Sequence, residues 1–172
     1  MVGTGLMADL IVRDFALCDN TELVAIVTRD AERAKPKFAT WGIEPVTLLE
    51  SLDAALADPN IDLIYVAAPH SEHFWMTKAA LEAGKHVLCE KAFTMDAAEA
   101  EELVRIARDR GLFLMEAMWT KFNPLMNDLK RRIEAGEIGD LKLIETHFGF
   151  HRPYDESHRL FDAKLGGGST LD

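Results

Sequence analysis

The chain has 172 residues, of which 48% are hydrophobic and 28% are charged, so its length and composition suit about one globular domain with a real core. With 19 basic and 29 acidic side chains the formal net charge is −10, which argues against nucleic acid or an anionic membrane surface as a partner. No apolar run approaches the ~20 residues that a membrane-spanning helix requires.

Short β-branched runs alternate with amphipathic helical stretches along the first two thirds of the chain. Pro36 is expected to interrupt the second helix and Gly84 to end the fourth, while Asp96 and Gly111 are expected to begin and end the fifth. Strands that alternate with helices indicate βαβ units and an α/β fold with a parallel, doubly wound sheet of the Rossmann type. The predicted strands are 22–28, 45–47, 61–67, 86–90 and 112–115, and the predicted helices are 6–17, 30–41, 51–57, 71–83 and 96–110.

The pattern changes near residue 118. A helix is predicted over 122–135, and residues 140–150 alternate polar and apolar, as in a longer strand with one open face. We therefore divide the chain into a first α/β domain, residues 1–118, and the beginning of a second domain, residues 119–172, whose strand suits an antiparallel or mixed sheet.

A glycine motif lies at the very start of the chain. Gly3, Thr4, Gly5, Leu6, Met7 and Ala8 follow the pattern G-x-G-x-x-A, in which the glycines let backbone N–H groups approach a pyrophosphate at a helix start. Because Met1 and Val2 alone precede the motif, we interpret the first strand as missing and the chain as an internal piece of a longer protein. The loop 166–172 likewise leads into a helix that does not follow. We therefore expect the chain alone to be poorly folded and inactive. Without the central strand, the strands 22–28 and 61–67 would lack a shared partner and the glycine turn would lack an anchor.

The residues after the second predicted strand bear on the choice of dinucleotide. An NAD site usually has an acidic side chain here for the ribose 2′-hydroxyl, but this chain has Thr28, Arg29 and, one helical turn on, Arg33. A hydroxyl and guanidinium groups suit a 2′-phosphate, so the pattern favours NADP over NAD. Asp30 is a competing signal, which we interpret as a helix N-cap, and the arginines are alternatively ordinary surface charges.

Four segments occur in a recognisable order along the chain: Gly3-Thr-Gly-Leu-Met-Ala8, Ala68-Pro-His70 with His73, Gly84-Lys-His-Val-Leu-Cys-Glu-Lys91, and Gly166-Gly-Gly-Ser-Thr-Leu-Asp172. Together they resemble the Gfo/Idh/MocA family of NAD(P)-dependent oxidoreductases over essentially the whole chain. Residues 115–124 look most like the branch that contains dimeric dihydrodiol dehydrogenases and NADP-dependent xylose dehydrogenases. The resemblance implies a Rossmann domain, then an α/β domain with an open mixed sheet.

The resemblance also implies site residues. Lys91 matches the lysine of the family's Glu-Lys-Pro motif, with Ala92 in place of the proline, and would hold the substrate hydroxyl and move its proton. Asp172 matches the aspartate of the glycine-rich segment and would assist in catalysis. A solvated lysine and an unimportant chain end are the alternatives. The residues implied to line the cofactor are Gly3, Thr4, Gly5, Leu6, Met7, Thr28, Arg29, Arg33, Ala68, Pro69, His70, His73, Glu90, Lys91 and Trp119.

Some of these residues have simpler explanations. His70 and His73 have a spacing that occurs in metal sites, but no third ligand accompanies them, so no metal site is predicted. Trp119 could equally pack between domains. Cys18 and Cys89 are too few for a disulfide framework, so we expect two small core residues and a cytoplasmic location.

The implied function is transfer of hydride between NADP, or less favourably NAD, and a hydroxyl-bearing carbon of a sugar or vicinal diol. The resemblance also implies a homodimer of the complete protein, formed through the sheet of the second domain. Two alternatives stay open, namely a non-catalytic protein that senses the dinucleotide and an inactive piece of the enzyme. Lys91 distinguishes the first alternative, because a sensor has no need of it.

Overall fold

The computed structural model describes residues 1–15 and 17–168, and its sheet is entirely parallel. β1 (Ala25–Val27) pairs with β2 (Thr47–Leu49), while β4 (His86–Cys89) lies between β3 (Leu63–Val66) and β5 (Leu114–Glu116). The predicted α/β fold with a Rossmann-type sheet is confirmed. β1, β3, β4 and β5 are shorter than predicted, and β2 has the predicted length but begins two residues later.

The chain start joins the two groups of strands. Val2 forms parallel bridges to both β1 and β3. Val27 N donates to Met1 O at 2.8 Å, Val2 N donates to Tyr65 O at 2.8 Å, and Ala67 N donates to Val2 O at 3.0 Å. Our expectation that β1 and β3 lack a shared partner is therefore wrong, because these two residues supply one at the carboxyl half of the sheet.

β1 and β3, together with the segments that precede them, border a cavity of about 530 Å³ next to Met1. Its walls are the approach to β1, residues 19–24, and the start of β3 with the residues before it, 60–65. The Met1 amino group donates to Ala25 O at 2.9 Å, and burial lowers its pKa to about 5. Backbone pairing between the two groups of strands is therefore concentrated at the edge where the strands end.

Helices cover both faces of the sheet, as a doubly wound fold requires. Ala8, Val12, Phe38 and Trp41 are buried under one face, and a larger cluster centred on Leu81 and Leu103 lies under the other. No helix within residues 1–15 and 17–168 is long and apolar enough to cross a membrane. The helices are α1 (Leu6–Phe15), α2 (Ala31–Ala34), α3 (Lys37–Trp41), α4 (Leu52–Ala57), α5 (His70–Glu82), α6 (Ala97–Arg110) and α7 (Pro124–Glu134).

The residues expected to begin and end helices do so. The Asp30 and Asp96 carboxylates each accept the N–H of the third residue of the following helix, at 2.9 Å in both cases. Gly111 ends α6 with a φ of +64°, a left-handed conformation that costs glycine little. Pro36 separates α2 from α3, as predicted.

The second part of the chain departs from expectation. α7 and two short 3₁₀ turns, Trp119–Phe122 and Ala163–Leu165, are present, but residues 140–150 form no strand. A strand needs a neighbouring backbone to bond with, and the part of the chain that the structure describes offers none beside this segment. Its apolar side chains, such as Leu143 and Phe148, are exposed instead.

The two cysteines differ. Cys89 is fully buried on β4, as expected for a core residue, and burial raises the pKa of its thiol to about 12. Cys18 is exposed in the turn after α1, where its Sγ lies 3.4 Å from Asp14 O. The prediction that Cys18 is a core residue is therefore wrong, since the helix ends before it and turns it towards solvent.

Candidate functional site

The predicted site residues gather at one edge of the sheet. All strands are parallel, so the segments that follow them emerge together. The glycine turn follows Val2, Thr28 follows β1, Ala67 and Ala68 follow β3, and Glu90 and Lys91 follow β4. This edge is the place where open α/β sheets bind their ligands.

The two glycines of the first turn have different surroundings. Gly3 has a φ of +105°, and a Cβ there would stand 2.7 Å from Ala67 O, so any larger residue would strain the turn and strike the backbone. Gly5 faces open space, and a Cβ added there would meet no other atom within 4 Å. Gly3 is therefore required by the fold, whereas Gly5 leaves room for a group to approach the start of α1.

A charged cluster on α1 and α3 braces the glycine turn. Lys37 Nζ donates to Thr4 O at 2.9 Å and to the Asp9 carboxylate at 2.7 Å, and Trp41 Nε1 donates to the same carboxylate at 2.9 Å. The hydrogen bond from Lys37 lowers the pKa of Asp9. Sequence analysis missed this cluster, because its members are 28 and 32 residues apart and no local pattern joins them.

Beside the glycine turn, Thr28 is buried at the end of β1 and Asp30 is committed to the start of α2. Asp30 N donates to Thr28 Oγ1 at 3.2 Å, while the Asp30 side chain accepts Arg33 N at 2.9 Å. The interpretation of Asp30 as an N-cap is therefore confirmed. Arg29 and Arg33 are exposed, and Arg33 is close enough to Asp9 to help lower the pKa of that carboxyl group. Two guanidinium groups thus stand at the edge where an NAD-specific site would present a carboxylate.

Two histidines lie beneath the loop that follows β3. His73 is fully buried, with Nδ1 2.8 Å from Ala92 O and Nε2 2.9 Å from Ala68 O. Both ring nitrogens therefore face backbone carbonyl groups, so His73 ties the loop after β4 to the loop after β3 and does not present its nitrogens to a cofactor. His70 is buried at the start of α5, its ring 5.5 Å from that of His73, while Pro69 is exposed at the rim.

Glu90 and Lys91 are positioned by contacts from neighbouring strands. Glu90 N donates to Val66 O at 2.9 Å, which continues the pairing of β4 with β3. The Glu90 carboxylate is buried, accepts the Tyr65 hydroxyl, and receives Lys91 N at 3.2 Å. Lys91 is half-buried, and the Lys91–Ala92 peptide bond is cis. The hydrogen bond from Tyr65 to Glu90 was not predicted from the sequence, because the position of Tyr65 in an apolar run indicates only a core residue.

Besides the contact between His73 and Ala92 O, the loop after Lys91 is fastened at one further point. Phe93 N donates to Glu116 Oε1 at 3.0 Å, which links the loop to the end of β5. The cluster of backbone and carboxylate contacts holds the chain at Lys91 on both sides. Lys91 is thus carried by a fixed segment, which suits a group that must meet a substrate in one orientation.

The remaining residues from the predicted site segments are Gly166, Trp119 and Asp172. Gly166 closes over α5, where a Cβ would stand 2.9 Å from the His70 Cβ, so this glycine permits a close approach. Trp119 is 69% exposed in the turn after β5, at the same edge of the sheet. Asp172 lies outside the described residues. In residues 1–15 and 17–168, no group of three or more His, Cys, Asp or Glu side chains is arranged to hold a metal ion.

Comparison with known families gives two matches. The sequence profile of the GFO/IDH/MocA oxidoreductase family, with its NAD-binding Rossmann fold, matches residues 1–118. The profile of the GFO/IDH/MocA C-terminal domain matches residues 126–172.

Individual proteins are similar over most of this chain. D-xylose 1-dehydrogenase (NADP(+)) of Hypocrea jecorina is 42% identical over 161 residues, which are 88% of this chain and 41% of that protein. Trans-1,2-dihydrobenzene-1,2-diol dehydrogenase of Mus musculus is 37% identical over 173 residues, with 96% of this chain and 50% of that protein covered. A 3-ketoreductase from Actinomadura kijaniata, crystallised with NADP, superposes with a TM-score of 0.70 at 34% identity over 81% of this chain and 44% of that chain. This chain spans half or less of the length of each of these proteins.

Proposed function

Because this chain belongs to the GFO/IDH/MocA family of oxidoreductases, we propose that the complete protein is an NADP-dependent dehydrogenase of a sugar or a vicinal diol. The observation that carries the proposal is one shared edge of the sheet, where the open turn at Gly5 and the fixed segment at Lys91 both emerge. The similarity to a xylose dehydrogenase and to a dihydrodiol dehydrogenase supports this substrate class.

The residues at this edge fit a dinucleotide. The turn Gly3–Gly5 leaves open space at the start of α1, where unpaired helix N–H groups favour a pyrophosphate. Arg29 and Arg33 would hold the 2′-phosphate of NADP, with Thr28 at its ribose. The Asp30 carboxylate caps the start of α2 by accepting Arg33 N, which supports NADP over NAD. Leu6, Met7, Ala68, Pro69 and Trp119 would line the rest of the groove, as the family resemblance implies.

The chemistry supplied by bound NADP is the acceptance or donation of a hydride. Lys91 would hold the substrate hydroxyl at Nζ, where the neutral amine would accept the hydroxyl proton as hydride leaves for NADP and the ammonium group would return a proton in the reverse reaction. Glu90 would set the charge beside Lys91, because its carboxylate is buried directly before it. His73 and Glu116 would keep the loop in one conformation through Ala92 O and Phe93 N. Asp172 would assist the proton transfer, as the resemblance implies.

We extend the proposal to the organisation of the protein. Residues 1–118 would form the dinucleotide-binding domain and residues 119–172 the start of the substrate domain, whose sheet would also form a homodimer. Exposed apolar side chains on the second part, such as Leu143, Phe148 and Phe150, support a covered surface there. A cytoplasmic location would suit the cofactor, and the buried thiol of Cys89 is compatible with it.

The test replaces Lys91 with methionine in the complete protein. We expect Lys91→Met to lower kcat with the best sugar or diol by about 10²–10⁴-fold while the Kd for NADP stays within a few-fold. Lys142→Met is the matched control, because Lys142 is 80% exposed and lies outside the site. A drop of less than about fivefold would remove Lys91 from the chemistry. NADP binding without any turnover in the unmodified protein would favour the dinucleotide sensor.

A further inference from the structure

Tyr65 is a buried polar residue that the family resemblance does not assign. It lies in β3 with 2% of its surface exposed, and its ring packs edge-on against Phe15 of α1 at 5.8 Å between centroids. The side chain points to the face of the sheet covered by α1 and α3. Packing alone would be served as well by phenylalanine, so the hydroxyl group needs another explanation.

That hydroxyl meets one carboxylate. Tyr65 Oη donates to Glu90 Oε1, while Glu90 Oε2 accepts Lys91 N at 3.2 Å. Glu90 is 5% exposed, so its carboxylate has left water and depends on these donors. Each oxygen of the carboxylate is therefore held from a different side, one by β3 and one by the segment that carries Lys91.

The tyrosine acts as a fixed donor. Burial, followed by the hydrogen bond to Glu90 and its negative charge, raises the pKa of Tyr65 well above its ordinary value. A phenol that stays protonated offers its proton to the carboxylate at every pH at which the protein works. The titratable groups around the pair are Cys89, whose buried thiol stays protonated, Glu116 on β5, and Lys91 itself.

We propose that Tyr65 is a positioning residue of the proposed dehydrogenase, whose hydroxyl fixes the Glu90 carboxylate directly before Lys91. This inference rests on the proposed function for its catalytic consequence and on the geometry alone for the contact. Without the hydroxyl, the buried carboxylate loses the donor at Oε1 and can rotate. The orientation and charge next to Lys91 would then change, although neither Glu90 nor Lys91 is altered.

The first experiment needs no activity. Tyr65 and Tyr154 are the two tyrosines of the chain, and Tyr154 is 76% exposed, so Tyr154→Phe is the matched control. In cofactor-free protein labelled at glutamate carboxyl carbons, Tyr65→Phe should shift the Glu90 resonance, assigned with Glu90→Ala, and Tyr154→Phe should leave it unchanged. The tyrosinate absorbance that depends on Tyr65, measured as the difference between unmodified and Tyr65→Phe protein, should stay absent at about pH 11, above the ordinary tyrosine pKa of about 10. An unmoved Glu90 resonance, or ionisation of Tyr65 by that pH, would overturn the proposed contact.

The second experiment measures the catalytic consequence. Tyr65→Phe should lower kcat about tenfold, with the Kd for NADP and the KM for substrate within about threefold, as expected for loss of a buried hydrogen bond to a charged group. In a Glu90→Ala background the same change should lower kcat less than about twofold, because the group that Tyr65 positions is gone. An equal loss in both backgrounds would show a purely structural role. A shifted Glu90 resonance in a protein without dehydrogenase activity would leave the contact standing and refute the proposed function.

Discussion

Arg29 is the residue on which we expect the preference for NADP over NAD to depend most. It is exposed directly after Thr28, at the end of β1, and the neighbouring carboxylate of Asp30 is engaged with Arg33 N. A guanidinium group binds phosphate through two parallel hydrogen bonds, which a ribose hydroxyl cannot reciprocate. The preference between NADP and NAD should therefore depend strongly on this residue.

We expect Arg29→Ala to raise the Kd for NADP about ten- to hundredfold and to leave the Kd for NAD nearly unchanged. The reason is the loss of a charge-assisted contact to a 2′-phosphate, which typically contributes about 1.5–3 kcal/mol. Fluorescence titration of both cofactors against both proteins measures the effect. Arg108→Ala, which removes an exposed arginine from the last turn of α6, is the control. Equal affinities of the unmodified protein for NAD and NADP would contradict the assignment.

Single residues also mark the limit of sequence interpretation. Asp30 and Asp96 were recognisable as helix caps, because a cap acts within four residues of itself. Tyr65 and Lys37 were not recognisable as site residues, because their partners lie 25 and 28 residues away. Such contacts depend on how strands and helices pack, which a local pattern does not contain.

Among the elements, the turn between Val2 and α1 combines two separate requirements. Gly3 is required by the backbone conformation, since its φ is +105° and a Cβ would clash with Ala67 O. Gly5 leaves space for a ligand to approach, since its surroundings are open. The two glycines should therefore respond differently to the same substitution.

We expect Gly3→Ala to lower the free energy of unfolding by about 1–3 kcal/mol or more, from backbone strain and the clash with Ala67 O. Gly5→Ala should change it by less than about 0.5 kcal/mol, because no atom lies near the added methyl group. It should instead weaken NADP binding at least about tenfold, since the methyl group would stand where the pyrophosphate approaches. Denaturant unfolding and cofactor titration of both variants separate the two effects. Undiminished NADP affinity in Gly5→Ala would place the cofactor elsewhere.

The elements also show why some boundaries were predictable and one strand was not. Residues 61–67 are apolar with little alternation, which correctly predicted the buried strand β3. Residues 140–150 alternate as a half-buried strand does, yet they remain outside the sheet. Alternation of polar and apolar residues indicates that a segment can form a half-buried strand. The strand itself forms only where a neighbouring backbone can hydrogen-bond with it.

At the scale of the whole molecule, cofactor binding and folding should be linked. Because Met1 and Val2 join the strands on either side, the glycine turn is anchored in the sheet, contrary to our expectation that it lacks an anchor. Saturation at a hundred times the Kd of NADP should stabilise the protein by about 2.7 kcal/mol. For this size of chain that corresponds to a rise in Tm of about 5–10 °C.

Thermal unfolding followed by circular dichroism with and without NADP measures this rise. Gly5→Ala protein under the same conditions is the control, and its Tm should rise by no more than about half as much, because binding at least tenfold weaker leaves about 1.4 kcal/mol of stabilisation or less. A broad transition that NADP does not shift would support the expectation that the isolated chain is poorly folded.

The pairing made by Met1 and Val2 has a consequence for hydrogen exchange. These residues bond β1 to β3, and the glycine turn begins directly after Val2. Local opening of these hydrogen bonds would therefore disturb the turn proposed to bind the cofactor at the same time. The amide protons of Val27 and Ala67, which bond to Met1 O and Val2 O, would exchange with solvent in one shared event. A dinucleotide bound at the turn would slow the exchange of both amide protons. Its release and the local opening between β1 and β3 would therefore be coupled.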